Sequence, residues 1–254
     1  NKEFNFIEDD LVSMNFDSIF KEDAVLFHQA GQPGVRASWG EQFETYVKDN
    51  ILATQKILEY AKKTNKLKKI VMASSSSIYG NQEGIMEENS TLPKTISPYG
   101  ATKLASENLG FLYYENFGLP VTSLRYFTVY GPKQRPDMAF FKFIMTNLSD
   151  QTIELFGDGS QKRDFTFISD IVEANMKTLE NNVDGEILNV GGGSVRTINE
   201  VLEIISSETG KKNKIIFKNK EKGDVHKTEA DVKEIEKKLN FKPKILLEEG
   251  LPLE

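Results

Sequence analysis

A chain of 254 residues with 39% hydrophobic and 28% charged side chains has the composition of a soluble globular protein, with ample material for a core. Its net charge of −6 argues against nucleic acid as the main partner, and the lack of cysteine excludes disulfides, thiolate ligands and a cysteine nucleophile. Only His28 and His226 could offer imidazole to a metal, so no metal site is expected; no apolar run approaches the ~18 residues of a membrane span and no signal peptide is visible, so the expectation is a cytoplasmic protein without a membrane partner.

In chain order, "EFNFIEDDL" (3–11) reads as a short strand ending in acids, and "DAVLFHQAG" (23–31) as a strand stopped by Gly31. Phe43, Val47, Ile51, Ile57, Leu58 and Ala61 then fall at helical spacing across 43–63. "KKIVMASSSSIYG" (68–80) is a buried-type strand running into small polar residues. Ser97 is a good N-cap and Pro98 a good first residue for a helix that Gly118 can stop, and "PVTSLRYFTVYG" (120–131) is the next strand. Strand and helix alternate to this point, which reads as a parallel sheet with crossover helices. Beyond residue 132 the units shorten: strands at "TIELFG", "KRDFTFIS", "GEILNVGGG" and "NKIIFK", with helices near 170–181, 197–209 and 229–239. The expected division is 1–131 and 132–254, the second part a smaller lobe with some segments returning to the sheet. The basic stretch at 211–222 reads as a solvated turn and an exposed strand.

Ligands of open parallel sheets bind outside the carboxyl ends of the strands. Those ends carry Asp9 and Asp10, Ala30 and Gly31, Ser74 to Ser77, and Thr128. In "SPYGATKLASENL" (97–109), Tyr99 and Lys103 share a helical face at i and i+4. A free phenol, with a pKa near 10, is too weakly acidic to serve as a base at neutral pH, and an ammonium one turn away stabilises the phenolate. Taken alone, this pair is equally an exposed helix face. With Ser75 ending the preceding strand, the three groups read as a device that turns a hydroxyl into a carbonyl and needs a hydride acceptor.

"ASSSSIYG", "SPYGATKLASE", "LRYFTVYGP" and "RDFTFISDIVEA", in that order, resemble the extended short-chain dehydrogenase/reductase family, and within it the NAD-dependent nucleotide-sugar epimerases. The resemblance runs from about residue 6 to residue 250. It implies an α/β fold with a Rossmann-type doubly wound parallel sheet holding NAD, a smaller lobe holding a UDP-sugar, and a homodimer paired through helices 41–63 and 99–117.

By the same resemblance, Ser75, Tyr99 and Lys103 are catalytic. Asp10 and Leu11 hold the adenine, and Gln29, Ala30 and Gly31 run along the cofactor. Asn50 points at the nicotinamide side, Tyr99 and Lys103 also bind the nicotinamide ribose, and Phe127 lines the nicotinamide pocket. Thr128 touches substrate, Glu154 and Phe156 match the uracil edge, Arg163 the diphosphate, and Asp224 the ribose. Relatives place an arginine shortly before that last acid, whereas this chain has Glu221 and Lys222. The family's glycine-rich pyrophosphate turn does not precede Asn1, so the expectation is an enzyme whose first two βα units are not represented in this chain, with an inactive fragment left open as an alternative. "NVGGGSVRTINEV" (189–201) does not replace that turn, because no sheet-edge acid follows about 20 residues on.

The implied reaction is 4-epimerisation. Tyr99 as phenolate takes the proton of the sugar's 4-hydroxyl, a hydride leaves C4, and the 4-keto sugar turns over before the hydride returns. Nucleotide-sugar 4,6-dehydratases carry an Asp-Glu pair where this chain has Ser76 and Ser77, and related decarboxylases a glutamate; both remain the alternatives, with a non-catalytic NAD-binding fragment as the alternative from another class. "TVYGPKQRPDMAFFKFI" (128–144) resembles the segment of epimerases acting on UDP-glucuronic acid. In that reading Thr128 and Arg135 face the sugar carboxylate and Ser76 and Ser77 donate hydroxyls to it, while UDP-glucose, UDP-galactose and their N-acetyl forms stay open.

Overall fold

The computed structural model describes residues 4–64, 66–89, 92–221 and 223–254. The strands are β1 (Ala24–His28), β2 (Leu67–Ser75), β3 (Val121–Tyr126), β4 (Thr128–Tyr130), β5 (Thr152–Phe156), β6 (Lys162–Phe167), β7 (Ile187–Val190), β8 (Ser194–Thr197) and β9 (Lys214–Lys218). The helices are α1 (Phe43–Tyr46), α2 (Ala53–Thr64), α3 (Pro98–Phe117), α4 (Ala139–Leu148), α5 (Ile168–Lys177), α6 (Ile198–Thr209), α7 (Lys233–Leu239) and α8 (Leu247–Gly250).

β2 shows why the chain folds this way. Its successive apolar residues go to opposite faces: Ile70 and Met72 pack with Leu58, Ala61, Tyr113 and Val121, while Val71 packs with Leu124, Ile171, Ala174 and Leu188. A strand buried on both faces is a continuous apolar run, as in the sequence. The sheet order is β1-β2-β3-β7, parallel throughout, so the segment at 187–190 returns to the sheet from beyond residue 132. A second sheet, β4-β6-β8, closes over Tyr130, Phe140, Phe165, Ile198, Leu202 and Leu251, and a two-stranded parallel sheet joins β5 to β9.

Several expectations need correction. Residues 4–10 form no strand: Phe4, Phe6 and Ile7 are exposed and pair with nothing among the described residues, so their apolar alternation has no face to bury; Glu3 lies outside the described residues. The helix expected over 43–63 is continuous but widens to a π-helix at Val47–Leu52. The strand expected over 120–131 breaks at Phe127, which sends β3 and β4 into different sheets. The helix expected near 229–239 starts only at Lys233, because the Ala230 N–H donates to Asp164 and the Asp231 N–H to Met86 O. α4 and β8 went unread.

α3 is built as its sequence indicates. Ser97 Oγ accepts the Gly100 N–H at 3.1 Å, Pro98 opens the helix, and Gly118 ends it at φ +67°. The helix is seated directly on the turn that follows β2, where a Cβ on Gly100 would lie 2.6 Å from Ser77 O. Alanine normally stabilises a helix over glycine by up to about 1 kcal/mol. Here the contact is with backbone and reverses the sign. Gly100→Ala is expected to lose about 1–3 kcal/mol and to melt at a lower temperature; an equal or higher Tm would show that α3 does not sit this tightly.

Candidate active site

The carboxyl ends of β1, β2 and β3 open into a cavity of about 550 Å³. It is lined by Gln29 and the loop Gly31 to Val35 after β1, by the turn from Ser74 to Ser77, and by Thr128, Gln134, Arg135, Arg163 and Asp224. Tyr99, Lys103 and Phe127 line it as well.

The three candidate reacting groups, Ser75, Tyr99 and Lys103, line the same cavity. Ser75 is buried at the end of β2, where its Oγ accepts the Ser77 N–H at 3.2 Å, and its hydroxyl lies near enough to the Tyr99 phenol to act on its acidity. The Tyr46 ring meets Tyr99 edge-on at 6.2 Å and donates its hydroxyl to Pro33 O and Gly34 O, both at 2.9 Å. Burial raises the pKa of Tyr99, against the Ser75 hydroxyl and the charge of Arg135. The expectation that Lys103 depresses it is therefore not met: desolvation of the phenolate outweighs the neighbours that favour it, and Lys103 is not among those neighbours. Lys103 is itself buried, and desolvation lowers its pKa to about 8, against the pull of Glu107.

Gln29, Gly31, Ser76, Ser77, Phe127, Thr128, Arg135, Arg163 and Asp224 all line the cavity with the three reacting residues. Ala30, Asp10, Leu11, Asn50, Glu154 and Phe156 do not. Asp10 is exposed and paired with Lys48 at 2.6 Å. Asn50 lies behind the cavity wall: its Oδ1 accepts the Gln32 N–H at 2.6 Å and its Nδ2 donates to Gln32 O and Thr102 Oγ1. Glu154 pairs with Lys218 at 3.3 Å, and Phe156 lies under the Arg36 guanidinium at 4.6 Å. Lys222 lies outside the described residues.

Sequence reasoning missed Arg36, which binds Asp224 at 2.7 Å and so joins the loop after β1 to the second lobe. It also missed Gln134, Tyr46 and Glu107. Arg36 had a usable signal, a cation in the loop at a strand's carboxyl end; Tyr46 and Glu107 read as ordinary helix residues. The glycines of "NVGGG" are accounted for: the Gly192 N–H donates to both Asp164 oxygens at 2.8 and 2.9 Å, so an internal carboxylate fills that turn. Among the described residues no group of three or more His, Asp or Glu could hold a metal, and no helix is long and apolar enough to cross a membrane.

The cavity suits the nicotinamide end of a dinucleotide. The Lys103 ammonium has no hydrogen-bond partner among the described residues and lines the cavity beside the loop at Gly31, where a Cβ would lie 2.8 Å from Asn50 Oδ1 and 4.0 Å from Lys103 Nζ. A bare backbone and a free cation fit a ribose.

Residues 3–191 match the model of the NAD dependent epimerase/dehydratase family. An uncharacterised UDP-glucose epimerase of Bacillus subtilis is 40% identical over 98% of this chain and 79% of its own length. A UDP-glucuronate 4-epimerase of Thermodesulfobacterium geofontis is 40% identical over 99% of this chain and 78% of its own length. The crystal structure of UDP-glucuronic acid 4-epimerase from Bacillus cereus, in complex with UDP-glucuronic acid and NAD, superposes with a TM-score of 0.95 at 40% identity, over all of this chain and 81% of that one. With its parallel sheet, its Ser75–Tyr99–Lys103 constellation and these matches, the chain belongs to the NAD-dependent epimerase/dehydratase family.

Proposed function

We propose that the chain is a UDP-sugar 4-epimerase whose substrate is UDP-glucuronate. The observation that carries the uronate is Arg135, which lines the cavity and lies near enough to Tyr99 to act on its charge. A guanidinium fork beside the reacting phenol, with Thr128, Ser76 and Ser77 adding hydroxyls, matches a carboxylate on the sugar. A neutral hydroxymethyl has no use for that cation.

Bound NAD supplies the hydride acceptor and donor, and the chain's own residues move the proton. Ser75 holds the sugar hydroxyl against Tyr99 Oη, which takes the proton as phenolate. Lys103, one helical turn from Tyr99, would orient the ribose and present its ammonium on the same helix face. Gln29, Gly31 and Phe127 would flank the nicotinamide, while Arg163, Asp224 and its partner Arg36 would hold the nucleotide side. The division near residue 131 separates these roles only in part: the cofactor contacts lie before it, while the nucleotide-sugar is shared between Arg36, Ser75 to Ser77 and Thr128 before it and Arg135, Arg163 and Asp224 after it. The same reading keeps the cytoplasm as compartment and assigns no nucleic-acid partner, on composition and charge.

Dehydration or decarboxylation would require a carboxyl acid or base at the sugar. Among the described residues lining the cavity the sole carboxylate is Asp224, and it is engaged by Arg36. That favours epimerisation.

A second copy of the chain completes the reading. Phe43, Leu52, Phe111, Leu112 and Phe117, on α1 to α3, are exposed. Leu112→Glu combined with Phe117→Glu is expected to convert a dimer into a monomer by light scattering; a wild type that is already monomeric removes the dimer.

With UDP-glucuronate, turnover is expected to fall as the pH rises through about 8, where Lys103 loses its proton; a rate flat to about pH 10 would exclude the ammonium from the step. Tyr99→Phe should fold and not turn over. Arg135→Ala is expected to lose about 1.5–3 kcal/mol of uronate recognition while turnover of neutral UDP-hexoses changes little. Equal loss on acidic and neutral sugars would assign Arg135 to the diphosphate and end the uronate reading.

A further inference from the structure

One layer beneath the reacting hydroxyls, Ser74, Arg125 and Asn189 stand side by side across β2, β3 and β7, all three buried. Above this row sits the Glu107 carboxylate. Arg125 donates to it twice, Nε to Oε2 at 2.9 Å and Nη2 to Oε1 at 2.7 Å, and Ser74 Oγ donates to Oε2 at 2.6 Å. Arg125 Nη1 donates to Tyr79 Oη at 2.7 Å, and Tyr79 in turn donates to Asn189 Oδ1 at 2.8 Å. Glu107 follows Tyr99 and Lys103 at the next i+4 step of α3.

A buried ion pair is weak ground for stability, since apolar residues of similar size often serve as well or better. The position of this pair gives it a different use. Ser74 immediately precedes Ser75, so the carboxylate that holds Ser74 also holds the end of the strand that presents the reacting hydroxyl. The same carboxylate stands one helical turn from Lys103.

We propose that Glu107 is a positioning residue of the reaction: its carboxylate, balanced by Arg125, fixes the end of β2 that carries Ser75 and places a negative charge one turn from the Lys103 ammonium. The proposal rests on the epimerase reading above. Lys103 is faced by Tyr99 and Glu107 from its own helix, by His28 from β1 and by the loop at Gly31, with Ser74 on β2 and Arg125 on β3 behind Glu107. Burial, with the Lys103 charge adding to it, lowers the pKa of His28 to about 4, so it is neutral across the working range. Among the described residues Glu107 alone opposes the desolvation of Lys103.

Three variants test this: Glu107→Gln, Glu107→Asp, and the apolar pair Glu107→Leu with Arg125→Met. For each, kcat and KM are followed against pH, and the titration of Lys103 is read by competitive acetylation of its amine with acetic anhydride and mass spectrometry. Glu107→Gln is expected to lower kcat roughly tenfold to hundredfold with little change in KM, and to move both the alkaline limb and the Lys103 midpoint to lower pH. The apolar pair should fold and stay as slow, with the same displaced midpoint. Glu107→Asp should restore the midpoint and only part of kcat. A folded apolar pair with the kcat and alkaline limb of the wild type would overturn the proposal and leave the ion pair a purely structural role. If Glu107→Gln does not fold, the pair and the Asp variant decide. If the wild type epimerises no UDP-sugar, the functional reading fails on its own; the acetylation midpoints, which need no turnover, still decide whether Glu107 acts on Lys103.

Discussion

The site depends on the close seating of α3 on the turn after β2. Where a Cβ on Gly100 would lie, 2.6 Å from Ser77 O, there is no room for a side chain, so the strand end and the helix start form one rigid corner. Ser75 stands on one arm of that corner and Tyr99 on the other, which brings the two hydroxyls to the same cavity. Parallel pairing sets the level of everything else. Ser75 is opposite Tyr126, so the loops after β2 and β3 leave the sheet at the same height and Thr128 arrives beside the serines.

The second lobe is brought to this corner by interactions of a different kind. β7 returns to the sheet beside β3, and the chain that follows is held by Asp164, whose carboxylate gathers the N–H groups of Gly192 and Ala230. Burial pushes the Asp164 pKa up to about 6, with those N–H groups pulling the other way. A nest of backbone amides is a common anion site, and here the anion is part of the chain. Asp224 meets Arg36 from the segment after β1, so the two parts are joined beside the cavity by an ion pair, by the stacking of Arg36 on Phe156 and by the packing of Gly223 against Val35.

The parts legible in the sequence were those governed by local chemistry. The N-cap Ser97, Pro98 and Gly118 fixed α3, the run into Ser74–Ser77 fixed the end of β2, and i+4 spacing placed Tyr99 over Lys103. Residues whose place depends on distant partners were not legible. Phe4, Phe6 and Ile7 alternate like a strand but have no strand beside them. The break at Phe127 follows from two sheets competing for neighbouring segments, and the late start of α7 from backbone groups already used by Asp164 and Met86. Asn50 was expected at the nicotinamide side; its side chain, on the π-helix, clamps the loop at Gln32, bonds Thr102 and does not line the cavity. Glu107 was passed over as one more charge on a helix, since nothing local announces that Arg125 will lie beneath it.

The charges of the cavity bear on how strongly it can choose between sugars. Arg135 is held by Asp137, Nε to Oδ1 at 2.9 Å and Nη2 to Oδ2 at 2.8 Å, the fork geometry that a sugar carboxylate would take. Both partners are largely exposed, so the pair itself is worth little. A uronate entering the cavity therefore exchanges one carboxylate for another at Arg135, and its gain is the difference between a desolvated pair beside Tyr99 and an exposed one at the loop. A neutral sugar leaves Arg135 on Asp137 and strands no buried charge. Discrimination by attraction alone is then modest. On the proposed reading, such a site would favour the acidic sugar without excluding the neutral one, since Asp137 occupies the arginine when the substrate has no carboxylate.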